Sequence, residues 1–262
     1  MPKLTLISHF FNEEFLLPYW VSHHLPLVDQ AILIDYHSTD KSCEVIHKLA
    51  PHWEVITSRN SSFIASEVDA EVMEVERNCS GWKIALNTTE FLSGEIRPEL
   101  FSSVSDALWL SAKTMIDSRD LHEIECDARL IDCYPDGLSE PQWELVVASG
   151  TRRALWNRTR IGDFPGSTFR FDPRGRRRLV HSAPDGKYWV GRHGSHLAAQ
   201  PSKHVVHWFA LAPWTPEFVA RKLQISTVIP RSEIDQGFGG QHFLDFEELE
   251  RTRKFLVPFL TR

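Results

Sequence analysis

The stretch "QAILIDYHSTDKSCEVIHKLA" (30–50) decides how the chain is built. "QAILIDY" is its clearest strand, apolar and rich in β-branched residues between polar flanks. The polar run "HSTDKS" then offers Ser38, Thr39 or Asp40 as the N-cap of a helix through "CEVIHKLA". Upstream, "KLTLISHF" (3–10) has the make-up of a buried first strand, and Pro18 suits the first turn of a helix through "YWVSHHL". Downstream, "WEVIT" (53–57) is a third strand. "SFIASEVDAEVMEVERN" (62–78) carries helical spacing at Ile64, Val68, Val72 and Val75, and "WKIAL" (82–86) is a fourth strand. Strands alternating with helices at this spacing predict right-handed crossovers and a mostly parallel sheet flanked by helices, an α/β fold.

In such sheets ligands bind at the carboxyl ends of the strands. Three polar clusters fall at those ends: Asn12-Glu13, Asp35 to Asp40, and Asn87 to Glu90. Topology alone therefore predicts that they share one rim. Past residue 92 the pattern loosens. "DALWLSAKTMI" (106–116) and "KHVVHWFAL" (203–211) are strands, and "TPEFVARKLQIS" opens a helix with Thr at the N-cap and Pro at its first position. "DFEELERTRKFLVPFL" is an amphipathic helix. Between Pro135 and about Gly194, Gly, Pro and Arg predict hairpins and long loops. The 262 residues suit one domain, in two halves over 1–117 and 118–262.

Composition narrows the function. A net charge of −6 disfavours a nucleic-acid partner held by overall field. Cys43, Cys79, Cys126 and Cys133 show no close pairing, so reduced thiols in a cytoplasmic protein are expected. The start, "MPKLTLISHFFNEE", lacks the pattern of a signal peptide, and no apolar run approaches a membrane span. Nine Trp include candidates for sugar- or partner-stacking surfaces, with core packing as the plainer reading.

"FFNEEFLLPYWVSHHLPLVDQAILIDYHSTDKS" resembles the opening of GT-A-fold glycosyltransferases of the family 2 type, in a branch with an Asn-Glu…Trp-x-x-His-His segment followed by D-x-x-STD. "GWKIALNTTEFL" resembles that branch's strand ending in D-x-D-E-F, and "VVHWFALAPWTPEFVARKLQ" its closing His-aromatic strand and helix. The likeness spans 4–92 and resumes near 190–225. It implies inverting transfer of a sugar from a nucleotide-sugar donor to a hydroxyl of a glycan or lipid-linked acceptor, inside the cell and compatible with peripheral contact with the inner face of the membrane. It also implies donor contacts from Asn12, Glu13 and Asp35, with Ser38 and Asp40 shaping the turn or merely capping a helix. His193, on a Gly-flanked loop, and His207 are further donor-side candidates.

The family's two motif aspartates hold Mn²⁺ or Mg²⁺, which offsets the charge of the departing nucleoside diphosphate. Asn87 and Thr89 stand in their places here, and only Glu90 keeps a charge. Three outcomes stay open: weak metal binding through Glu90, His207 and the diphosphate, with Glu90 otherwise free to act as catalytic base; metal-free transfer aided by Arg152, Arg153, Arg170, Arg176, Arg177, Arg178 or Arg192; or loss of transfer with binding retained. The general base is unassigned among Asp117, Glu140, Asp163 and Glu90. "RGRRR" also fits a solvated loop or an anionic-lipid patch.

Overall fold

The computed structural model describes residues 3–148, 177–235, 243 and 245–260. Arg152, Arg153, Asp163, Arg170 and Arg176 lie outside the described residues. In chain order the strands are β1 (Leu4–Phe10), β2 (Gln30–Asp35), β3 (Glu54–Thr57), β4 (Trp82–Ala85), β5 (Glu90–Leu92), β6 (Ala107–Ile116), β7 (Gly137–Leu138), β8 (Arg177–His181) and β9 (Gln200–Leu211). The helices are α1 (Leu17–His24), α2 (Ser42–Leu49), α3 (Ala65–Arg77), α4 (Arg97–Ser102), α5 (Leu130–Cys133), α6 (Glu140–Ala148), α7 (Pro216–Gln224), α8 (Arg231–Asp235) and α9 (Phe246–Leu256). The chain divides into two compact units that interleave in sequence: residues 1–61, 66–112 and 175–208, and residues 62–65, 113–174 and 209–262.

In the first unit β1 pairs in parallel with β2 and β4, and β2 with β3. β1, β2 and β4 are buried on both faces, in keeping with their largely apolar sequences, while β3 at the edge is partly exposed. Antiparallel pairs extend the parallel set, β4 with β8 and β8 with β6, and β5 pairs antiparallel with β9. The α/β class predicted from the strand–helix alternation is the one observed. Register sets the strand ends level: Phe10 lies opposite Asp35, and Asp35 opposite Thr57. Pro18 occupies the first turn of α1, where its missing N–H costs nothing.

Helix α2 starts later than the polar run suggests. Lys41 is its N-cap, and Asp40 Oδ1 instead accepts from Ser42 N–H at 2.9 Å. Ser38 and the second oxygen of Asp40 are engaged by the neighbouring loop.

In the second unit the end of β6 pairs with β7. Part of the segment expected as hairpins and loops is helical, as α6, and Trp143 on it donates through Nε1 to Thr114 Oγ1 at 3.0 Å. Thr215 caps α7 by accepting from Phe218 N–H, and Asp245 and Glu248 form a capping box at α9. The reduced state expected for all four cysteines does not hold: Cys126 and Cys133 form a disulfide, while Cys43 and Cys79 are free. The chain turns back through the short helix α5 between the two, which brings their Cα atoms to 5.7 Å. No described helix is long and apolar enough to cross a membrane.

Candidate active site

The turns after β1 and β2 are laced together. Ser38 Oγ accepts from Asn12 N–H at 3.0 Å, and Asn12 Oδ1 accepts from Thr39 N–H at 2.8 Å. Asp40 Oδ2 accepts from Glu14 N–H, and Glu14 in turn accepts from Lys41 N–H. Glu13, buried, donates its N–H to Ser42 Oγ at 2.7 Å. Asp35 sits at the end of β2 and accepts from Ser38 N–H at 2.9 Å and from Cys43 Sγ. Asn12 and His37 both take positive φ, 49° and 59°, a strained conformation for residues other than glycine. The first two polar clusters thus share one edge, and the short side chains that look like helix caps spend their oxygens fixing it.

The third cluster joins through Arg192. Its Nη2 donates to Asn87 Oδ1 at 2.8 Å and lies 3.1 Å from His9 Nδ1, near the end of β1, while Nη1 pairs with Asp69 on α3. Arg192 itself has φ 57° and follows Gly191 at 88°. Gly191 N–H donates to Asp69 Oδ2 at 2.6 Å. Burial, with Arg192 and Arg178 nearby, holds His9 well below the ordinary histidine pKa, so its ring is neutral and Nδ1 accepts from Arg192.

Glu90 is enclosed by protein partners. It is 3% exposed, and both carboxylate oxygens are held by Arg178, Oε2 by Nε and Oε1 by Nη2, each at 2.7 Å. Oε2 also accepts from Asn87 N–H at 2.8 Å. The remaining nitrogen of Arg178, Nη1, donates to the carbonyls of Gly191 and Arg192 at 3.1 and 3.0 Å and lies 3.3 Å from His193 Nδ1. Arg178 therefore binds the strand end at 90 to the loop at 191–193, and His193 comes to the site at its side.

Glu90 and His207 are not cross-strand partners. Glu90 lies opposite Trp208 and Phe91 opposite His207 in the β5–β9 pair. Successive side chains point to opposite faces, so Glu90 and His207 lie on different sides of the sheet. Phe91 marks His207's side, where it meets His23 and His24 of α1 at ring distances of 5.3 and 5.8 Å. Asn87 Oδ1 is taken by a guanidinium, and Thr89 is buried and neutral. This donor set does not fit Mn²⁺ or Mg²⁺, which need several free anionic oxygens. Among the described residues, no group of three or more His, Cys, Asp or Glu is gathered to hold a metal ion.

Of the candidate bases, Asp117 is fixed in the second unit, where its carboxylate accepts from Arg119 N–H and Nε and from Trp214 N–H. Sequence reading missed Asp69. Its signal was a carboxylate on the buried side of α3, two turns from Glu76, which binds the same loop through Gly186 N–H and Tyr188 Oη, each at 2.7 Å. A cavity of about 290 Å³ lies elsewhere, at the amino ends of the parallel strands beside Lys3, Gln30 and Glu54. Ligand chemistry on such sheets belongs to the opposite rim.

No family model and no curated protein sequence matches the chain. Among solved structures, residues 1–349 of TarS from S. aureus align with 15% identity over 46% of this chain and 38% of that one, TM-score 0.38. A mycobacterial protein aligns with 14% identity over 88% and 76%, TM-score 0.43. Glucosyl-3-phosphoglycerate synthase from Mycobacterium tuberculosis, in complex with Mn²⁺, uridine diphosphate and glucosyl-3-phosphoglycerate, aligns with 13% identity over 88% and 82%, TM-score 0.40. The chain thus covers less than half of the TarS fragment's length. These likenesses are remote, and the functional reading below rests on the site's own residues.

Proposed function

We propose that the chain is a glycosyltransferase of GT-A type that holds a nucleotide-sugar donor along the carboxyl ends of β1, β2 and β4 and passes the sugar, with inversion, to an acceptor hydroxyl without a divalent cation. One observation carries this reading: Arg192 ties Asn87, where the resemblance places the first motif aspartate, to the end of β1. A buried guanidinium, itself paired with Asp69, is thus bonded to the residue at the first motif position. Replacing both motif aspartates by Asn87 and Thr89 removes two negative charges that a diphosphate could not approach unaided. Asn12, Glu13, Asp35, Ser38 and Asp40 shape the donor edge, Asn87 and Thr89 its floor, and His193 its rim. Glu90 and Arg178 position the loop rather than touch the donor. The resemblance implies the same donor class.

A second reading has its own support. Glu90 and Asp117, two of the candidate bases, have their carboxylates engaged. An acceptor hydroxyl needs a base within hydrogen-bond reach, so a donor-binding protein without transfer activity is the alternative. Melting temperatures with UDP-, GDP- and dTDP-sugars, in Mn²⁺ and in EDTA, test the binding, and release of nucleoside diphosphate in the presence of acceptor tests transfer. Stabilisation and release that survive EDTA are expected. Stabilisation without release selects the binding protein, and no stabilisation by any donor refutes both.

A further inference from the structure

The loop that carries Arg192 also presents an exposed tryptophan. Tyr188 and Ser195 form an antiparallel bridge. Trp189 N–H donates to Gly194 O at 2.9 Å, Arg192 N–H to Trp189 O at 2.9 Å, and His196 N–H to Lys187 O at 3.1 Å. Glu76 fixes the base of this turn and Asp69 its tip, so the segment is braced at both ends. On it Trp189 is 57% exposed and Val190 44%, whereas Trp20 and Trp53 of the same unit are 0% and 3% exposed.

The indole is exposed but seated. A Cβ added to Gly194 would lie 2.2 Å from Trp189 Cε3, so the ring rests directly on the Gly194 backbone. The His196 ring meets it edge-on at 5.9 Å. A ring supported in this way loses little freedom when a ligand covers its open side, which favours binding.

We propose that Trp189 is a stacking platform for a pyranose ring of the acceptor. The inference rests on the donor reading above, because Arg192, three residues along the same loop, reaches the floor of the donor edge. The chemistry selects a sugar. An indole face suits the C–H face of a pyranose, and the exposed side chains of Lys187 and His196 flank it with groups able to meet ring hydroxyls. Two exposed apolar residues, Trp189 and Val190, make too small a patch for a protein partner or a lipid surface.

The test is retention of the full chain on an array of immobilised α- and β-linked hexose and N-acetylhexosamine oligosaccharides, with Trp189→Ala, Trp189→Phe and Gly194→Val alongside. Wild type is expected to hold at least one glycan. Trp189→Ala should weaken it by about tenfold, the scale of one aromatic contact. Trp189→Phe should recover part of the loss, and Gly194→Val, which unseats the ring, should behave like the alanine variant. Far-ultraviolet circular dichroism checks that each variant is folded. The proposal is overturned by no retained glycan, by equal retention in Trp189→Ala, or by binding to phosphatidylcholine vesicles that depends on Trp189. Sugar-nucleotide stabilisation of wild type is read separately. A chain that holds glycans through Trp189 but no sugar nucleotide fails the donor reading and not the platform.

Discussion

Replacing Glu90 with Gln tests the assignment of that residue to structure rather than to catalysis. The Glu90 and Arg178 side chains are 4% and 2% exposed and meet through two contacts of 2.7 Å. Glutamine keeps the shape but turns an amide N–H₂ toward a guanidinium nitrogen and leaves the Arg178 charge uncompensated. Breaking a buried pair from one side costs about 3–5 kcal/mol. At 2–4 °C per kcal/mol for a chain of this size, the melting temperature should fall by about 6–20 °C. The double variant Glu90→Leu with Arg178→Met removes both charges and should recover much of this. Full recovery is not expected, because the Gly191 and Arg192 carbonyls also lose their donor. Calorimetry and urea titration of wild type, Glu90→Leu, Arg178→Met and the double variant give the coupling directly. A loss below about 1 kcal/mol in Glu90→Gln, the scale of a solvent-exposed pair, would refute the argument and return Glu90 to the list of possible ligands.

Three other outcomes are expected. His24 is fully buried with its pKa well below the ordinary value, chiefly through burial and then the neighbouring His23; Nδ1 donates to Trp20 O at 2.8 Å while Nε2 accepts from Leu92 N–H. The unfolded chain therefore binds protons first as pH falls below about 6.5, and stability should drop there by up to about 1.4 kcal/mol per pH unit for His24, and likewise for His9; melting curves that do not change between pH 7.5 and 5.5 would contradict this. Asn87→Asp should form an ion pair with Arg192 rather than a metal site, so titration calorimetry with Mn²⁺ should show no binding, and measurable Mn²⁺ heat would overturn the placement. Thiol counting in denaturant without reductant should find two free cysteines, not four, and Cys133→Ser should cost about 2–3 kcal/mol from the short closed loop; a count of four would restore the reduced thiols expected from the sequence.

Much of the first unit was legible because its signals are local. β-Branched runs mark β1 to β4, and a Pro in the first turn marks α1. In the second unit Thr215 and Asp245 each carry their own cap at fixed offset. Parallel pairing then follows from chain direction, and with it the shared edge of Asn12, Asp35 and Asn87. Those steps need only propensity, period and handedness.

The state of each charged group was decided elsewhere. Glu90 looked like a surviving metal ligand until Arg178, 88 residues away, closed over both of its oxygens. His207 looked like its companion until the β5–β9 register put it on the other face of the sheet. Ser38 had the chemistry of a cap but took its donor from the β1 turn, and Asp40 divides its oxygens between that turn and the first N–H of α2. A side chain's protonation, charge balance and free lone pairs depend on whatever groups folding brings within about 3 Å, and that distance bears no relation to separation along the chain.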